Sequence, residues 1–362
     1  MSEFQRPIHI LKGRGSATQL PSRFDSLTRS GWDDGWSVDE ADERPLPVTQ
    51  VRFEDCRSAI ASNDSPDIPF DQSVNPYRGC EHGCIYCYAR TTHSYLDLSP
   101  GLDFETQLVA KRNIAQVLQR ELARPAYRPS LINIGSATDC YQPIEREHRL
   151  TRQVIEVMAA TRHPFALVTK SSGVERDLDL IAPLARAGLA AVYVTVTTLD
   201  RSLARRLEPR AAAPERRLRT IRTLAEAGVP VGVSLAPHIP FLTDDLEQVL
   251  EAAQAAGARS AFYHVLRLPW ELSPLFRQWL ELHHPERAAR VMARVQEMRG
   301  GKDYDSRHGS RFKGEGVWAE LLGQRFQKAC ARLGLNRQRL ELDTTQFRPV
   351  VPGSEGQGLL FG

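Results

Sequence analysis

The sequence predicts an α/β fold, a partial (β/α)6 barrel of the TIM type with an arm before it and helices after it. Two observations carry the prediction. Short apolar or β-branched runs alternate with amphipathic segments between residues 131 and 268, the pattern of βαβ units around a parallel sheet. The chain also has 362 residues, 41% hydrophobic and 25% charged, which suits one large domain of ordinary soluble composition.

The strand candidates, in order, are "LINIGSAT" (131–138), "FALVTK" (165–170), "AAVYVTVTTL" (190–199), "VPVGVSLAP" (229–237) and "SAFYHVLRL" (260–268). A short strand at "FDQSVN" (70–75) supplies the first of the six units. Function is then expected at the C-terminal ends of the strands. One helix is expected over 105–122, where Leu108, Ala115, Leu118 and Leu122 share a face, and another over 174–186 through Val174, Leu178, Ile181 and Ala185. Residues 1–65 show no helical or strand period and are read as an extended polar arm packed on the main domain. The core is placed at 66–270, a helical extension at 271–340, and a tail at 341–362.

Net charge is only +3, so the chain as a whole exerts no strong pull on nucleic acid. Eight arginines nevertheless lie between Arg201 and Arg222, either on a solvated helix pair or as a patch for an anionic partner. No apolar run approaches the ~20 residues of a membrane span. The first twenty residues lack the apolar centre of a secretory signal. Six cysteines in a chain of this length make no disulfide framework, so a reducing cytoplasm is expected, where clustered cysteines mean metal or redox chemistry.

Half of the cysteines fall in "RGCEHGCIYCYAR" (78–90), at Cys80, Cys84 and Cys87. Thiolates are soft ligands suited to zinc or to iron–sulfur clusters. A structural zinc asks for a fourth ligand, for which His82, Cys56 or Cys140 could be conscripted, yet none forms a second cysteine pair. An iron–sulfur cluster held by three cysteines leaves one iron for a ligand from outside the protein. Gly79 and Gly83 allow the loop to wrap closely.

C-x3-C-x2-C with Tyr86 before the last cysteine, on a βα-repeat chain, resembles the radical S-adenosylmethionine (radical SAM) superfamily. Together with "SATDCYQPIEREHRLTR", "VTKSS", "RLEPRAAAPERRL" and "LRLPWELSPLF", it is similar to the spore-photoproduct-lyase-like branch over residues 50 to 340. The resemblance implies a [4Fe–4S] cluster on Cys80, Cys84 and Cys87, with S-adenosylmethionine on the fourth iron. It implies reductive cleavage to a 5′-deoxyadenosyl radical that abstracts hydrogen, an electron donor of flavodoxin or ferredoxin type, and a lyase-like, DNA-repair-like activity. The alternatives are the same chemistry on a small molecule, RNA or protein, and a non-enzymatic metal or electron-transfer module.

The resemblance also nominates residues. Tyr86 would lie against the adenine, while Ser136, Thr138 and Asp139 would meet the cofactor's amino group, unless Asp139 caps a turn. Lys170 would meet its carboxylate. Thr195 and Thr197 alternate with valines on the fourth strand and are placed near the ribose; Gly232 and Ser234 alternate with Val231 and Val233, the glycine giving adenine access to the backbone. Small residues that fill a barrel read the same way. A spore photoproduct lyase carries its hydrogen-donating cysteine where Ser136 stands here. Cys140 is then either a displaced hydrogen donor or relay, or a packing residue. Cys56 and Cys330 are read as structural. His264, beside Tyr263 and ahead of Arg267, either lines the last strand or is a hydrogen-bonded core residue. Finally, Gln357, Leu360 and Phe361 resemble the peptide by which bacterial DNA enzymes bind the sliding clamp.

Overall fold

Six parallel strands form the frame: β1 (Gln72–Val74), β2 (Ile132–Ile134), β3 (Phe165–Thr169), β4 (Ala190–Thr195), β5 (Val231–His238) and β6 (Ser260–Val265). They lie side by side in sequence order, and Ile60–Ser62 closes the edge beyond β1 as an antiparallel strand. The computed structural model describes residues 9–25 and 47–350. The helices that cover the sheet are α1 (Ile114–Leu122), α2 (Leu150–Thr161), α3 (Leu178–Arg186), α4 (Arg201–Leu207), α5 (Pro214–Glu226) and α6 (Leu246–Ala255). They are followed by α7 (Leu272–His283), α8 (Pro285–Glu297) and α9 (Gly316–Leu333). This is the partial (β/α)6 barrel expected from the alternation of elements.

Side-chain alternation sets the two faces of the sheet. Val192 and Val194 of β4, Val231, Val233 and Leu235 of β5, and Ala261, Tyr263 and Val265 of β6 belong to the main core, with Ile221 and Leu224 of α5 and Leu250 of α6. Their neighbours Tyr193, Thr195, Gly232, Ser234, Phe262 and His264 therefore face inward, because successive residues of a strand point to opposite sides. A second core joins Ile85 of the cysteine loop, Leu203 and Leu207 of α4, and Phe276, Trp279, Val291 and Val295 of α7 and α8. The late helices thus close over the cysteine loop.

Three expectations change. The helix over 105–122 is divided into a short helix Asp103–Thr106, a strand Gln107–Lys111 and α1. Leu108, Val109 and Ala110 are all buried, and the strand pairs with Gln50–Glu54 on one side and Tyr77–Arg78 on the other. A short apolar run fits either period, and pairing on both edges decided it. The N-terminal arm supplies strands Gln50–Glu54 and Ile60–Ser62, since its polar composition hid two edge strands with little to bury. In the segment read as a tail, Phe347 packs on Tyr127 and His163 with ring centroids 5.5 and 5.2 Å away, and the Arg348 N–H donates to the Thr161 carbonyl at 2.8 Å. Gln357, Leu360 and Phe361 lie outside the described residues. Among the described residues no helix is long and apolar enough to cross a membrane.

Candidate cofactor site

Cys80, Cys84 and Cys87 sit on the loop that follows β1, at the C-terminal end of the sheet. Gly79 and Gly83 take positive φ values of 76° and 66°, which L side chains rarely adopt, and the loop turns tightly there. Its carbonyls are held from beneath by Arg90, which is fully buried. The Arg90 guanidinium donates to the carbonyls of Cys84 (2.9 Å), Gly83 (3.0 Å) and Gly101 (2.8 Å), and to the buried carboxylate of Glu105. Glu105 in turn accepts from the backbone N–H groups of Gly15 and Ser16, both at 2.9 Å. Gly15 is pressed so closely on the loop that a Cβ there would stand 1.8 Å from the Gly83 carbonyl oxygen.

The three thiols are unpaired by disulfides. Burial pushes the Cys84 thiol up to about 12 and the Cys80 thiol well above its usual range, so a metal centre would have to displace protons to hold them. Cys80 and Cys87 pack together with Ala89 and Phe104. None of the nominated fourth zinc ligands joins them: Cys140 lies in the main core, Cys56 packs at its margin, and His82 turns Nδ1 to Asp139 at 3.2 Å. Among the described residues no group of three or more His, Cys, Asp or Glu is placed for one metal ion. A thiol-only donor set of three fits a cluster with one thiol per iron.

Around the loop, the strand ends bring the nominated polar residues together. Thr138 is buried and its hydroxyl has no partner among the described residues, an unmet hydrogen-bonding group of the kind a ligand satisfies. Ser136 Oγ accepts from Asn75 Nδ2 at 3.1 Å, and its carbonyl accepts from the Tyr88 hydroxyl. Asp139 is fully engaged by the protein. It accepts from Thr169 Oγ1 (2.7 Å), the Lys170 N–H (2.7 Å) and the Tyr141 N–H (2.9 Å). Burial opposes its ionisation, but His82 and these donors hold the carboxyl well below the usual range. Asp139 thus joins β2 to β3 and fixes the backbone of Lys170.

The Lys170 ammonium lies 5.7 Å from the Tyr86 ring centroid. Burial works against its charge, yet Cys84 and Glu208 keep its pKa above the ordinary value. The Tyr86 hydroxyl is bound by Glu208, which also accepts from Thr197 Oγ1 and from Arg217. Arg217 continues to the Ala212 carbonyl at 2.6 Å and the Thr195 carbonyl at 3.1 Å. Burial disfavours the Glu208 carboxylate, but Arg217 and Lys170 lower its pKa nonetheless. Tyr86 and Thr197 are therefore tied into one buried network beneath the loop, and Thr195 lends it a carbonyl.

Two nominated positions have another explanation. Gly232 gives room to a side chain of the protein: a Cβ there would stand 2.2 Å from the ring of Tyr193, its partner in the sheet register. The ring lies directly against the Gly232 backbone. Cys140 has no exposure and lies in the main core, its carbonyl accepting from Thr151 Oγ1 at 2.6 Å. Ser234 is buried on the inner face of β5. Cys330 packs in the core, as expected.

The sequence reading missed Arg90, Glu105, Glu208 and Arg217. Glu208 and Arg217 stood inside the arginine-rich run, where two acids, Glu208 and Glu215, among eight arginines were the available signal. Four of its eight arginines are paired with carboxylates: Arg210 with Glu81, Arg216 with Glu175, Arg201 with Glu215, and Arg217 with Glu208. Arg90 and Glu105 lie on separate elements and share no local pattern.

Comparison with known proteins agrees with this site. Residues 74–253 match the family model described as the Radical SAM superfamily. Uncharacterized proteins of Mycobacterium tuberculosis and Mycobacterium bovis are each 40% identical over 241 residues, covering 65% of this chain and 70% of theirs. A protein of Methanocaldococcus jannaschii is 27% identical, over 59% of this chain and 76% of its own. Among solved structures, spore photoproduct lyase superposes with a TM-score of 0.57 at 17% identity, over 79% of this chain and 80% of that one. That likeness is one of fold. With a cysteine loop of the required spacing at the mouth of such a barrel, the chain belongs to the radical SAM superfamily, whose enzymes use a [4Fe–4S] cluster and S-adenosylmethionine and need an electron donor.

Proposed function

We propose that this enzyme uses its radical chemistry on nucleic acid, in a DNA-repair-like reaction. The observation that carries the reading is the loop of three thiols, Cys80 and Cys84 buried and Cys87 half-buried, held by Arg90 and Glu105 beside the Thr138 hydroxyl, which has no partner among the described residues. The choice of substrate is supported by the shared fold with spore photoproduct lyase, one structure of which holds a dinucleoside spore photoproduct. When bound, the cluster and S-adenosylmethionine supply a carbon-centred radical by one-electron cleavage of the sulfonium.

The chain's own residues do the positioning. Cys80, Cys84 and Cys87 hold the cluster. Thr138 and Ser136 meet the cofactor's amino group, Lys170 meets its carboxylate as a charge-assisted donor, and Thr195, Thr197 and Ser234 line the inner face nearby. Asp139 and Glu208 orient these groups from behind, and the second core keeps water from the loop. The electron comes from a donor of flavodoxin or ferredoxin type in a reducing cytoplasm. The position of all six cysteines favours one refinement. The three outside the loop are packed in or against the core, so hydrogen return through a thiol on the inner face, as in a lyase with cysteine at the Ser136 position, has no residue here.

Anaerobic reconstitution followed by reduction tests this. The brown protein should release 5′-deoxyadenosine from S-adenosylmethionine, and Cys84→Ala should lose both colour and cleavage, whereas Cys140→Ala should keep both. A colourless zinc protein overturns the assignment. Deuterium exchange between the cofactor and damaged DNA carrying the thymine lesion tests the substrate; exchange with RNA or a small molecule alone would replace it.

A further inference from the structure

The inner faces of the last strands carry an aromatic series that the polar site leaves unused. Tyr193 on β4 lies 5.4 Å from Phe262 on β6, and Phe262 lies 5.2 Å from His264. His264 is 4.4 Å from Phe312 at an interplanar angle of 32°. The Arg267 guanidinium then stands 4.5 Å from the Phe312 centroid and 5.6 Å from that of Tyr88. Tyr88 directly follows Cys87, so the series ends beside the cysteine loop. Tyr193, Phe262, His264, Arg267 and Phe312 are half-buried and Tyr88 is exposed; these rings present surface rather than fill a core.

Arg267 is the unusual member. Among the described residues its one polar contact is with the Tyr304 hydroxyl, at 3.2 Å, and its Nε is buried without a partner there. Among the described residues no carboxylate pairs with it, although most arginines nearby are paired. Its surroundings are cationic as well. Burial, then Arg267 and Lys313, pushes the His264 imidazole down to about 4, leaving it a neutral flat ring at physiological pH. Burial and Arg267 lower Arg299 to about 10. A guanidinium fixed on aromatic faces, with part of its N–H fork free, suits the planar bidentate demands of phosphate. Flat, partly exposed rings suit a flat partner, and unpaired bases stack on such platforms with little regard to sequence.

We propose that Arg267 receives a phosphate of an unpaired nucleotide whose base stacks on the His264–Phe312 end of the aromatic series. The proposal rests on the nucleic-acid reading above and assigns that substrate its docking place. The cofactor's carboxylate is another anion that could satisfy Arg267, and the experiment separates the two.

The reconstituted holoprotein is titrated into fluorescein-labelled (dT)12 between 50 and 200 mM salt, with anisotropy as readout. Arg267→Gln should weaken binding about tenfold and reduce the slope of log K against log salt by roughly 0.7, the value for one phosphate of a single strand. Phe312→Leu keeps the charge and removes the ring, so affinity should fall with the slope unchanged. Arg222→Gln, on the exposed side of α5, should match the wild type. Equilibrium dialysis with S-adenosylmethionine should give equal affinity for wild type and Arg267→Gln. If that affinity falls while (dT)12 binding holds, the anion is the cofactor's and the inference fails. If the wild type binds (dT)12 and both variants equal it in affinity and slope, the inference fails while the nucleic-acid reading stands. If the wild type binds no oligonucleotide, single- or double-stranded, both fall.

Discussion

Replacing Arg90 with methionine tests how the cysteine loop is held. Arg90 has no exposure and spends its donors on the Cys84, Gly83 and Gly101 carbonyls and on Glu105, itself without exposure. Methionine fills much of the volume but strands the Glu105 carboxylate, whose remaining partners are the Gly15 and Ser16 amides. Breaking a buried ion pair from one side costs about 3–5 kcal/mol. In a chain of this size that is a fall in Tm of roughly 6–10 °C, at about 2 °C per kcal/mol. The loop carbonyls released at the same time should loosen the thiols, so iron per chain after reconstitution should fall too. Glu105→Gln alone should cost less, and the double variant should cost less than the sum, because each single change leaves the other charge alone. Thermal unfolding by circular dichroism and an iron assay read both effects. An Arg90→Met protein that melts within a degree of wild type and loads full iron would refute this account of the loop.

Two further outcomes follow from the site. Gly232→Ala should drive a methyl group into the Tyr193 ring and destabilise the barrel by about 1–3 kcal/mol as an overpacking change; Tyr193→Ala in the same chain should recover most of the loss, and an additive pair would contradict the contact. Asp139→Asn should destabilise the protein at pH 7. Because the folded Asp139 carboxyl is held below its unfolded pKa by His82 and its donors, its contribution is present above about pH 4 and fades as the pH drops below that value. The stability gap between wild type and variant, measured in urea, should therefore narrow in acid; a gap independent of pH would assign the loss to packing.

Much of this molecule was legible from the residues alone. The barrel followed from periodicity, since β-branched runs such as "AAVYVTV" bury one face and the parallel frame repeats the signal five times. The cysteine loop was legible because ligand spacing is local. Other features depended on long-range pairing. The strand at Gln107–Lys111 looked helical until its two neighbours, Gln50–Glu54 and Tyr77–Arg78, were in place. Gly232 invited a ligand because a missing side chain does not say what fills the gap, and Tyr193 across the sheet does. Asp139 was nominated as a ligand group, whereas its oxygens are met by Thr169, Lys170 and Tyr141. Glu208 and Arg217 were hidden in a charge-rich run, since composition counts arginines without saying which one is buried.

The cover of the cysteine loop is drawn from very distant parts of the chain: the amides of Gly15 and Ser16 through Glu105, the Leu207 carbonyl that accepts from the Ile85 N–H at 3.0 Å, and the apolar faces of α7 and α8 as far as Val295. A ribosome builds these in order, and a wall that includes residue 295 cannot stand before residue 295 exists. The thiols at 80, 84 and 87 therefore leave the exit tunnel long before their enclosure can form. Pulse alkylation of stalled nascent chains should find them reactive until the late helices emerge. During that interval in biosynthesis they are open to cluster-delivery proteins and to oxidants alike, and closure afterwards confines whatever has been loaded.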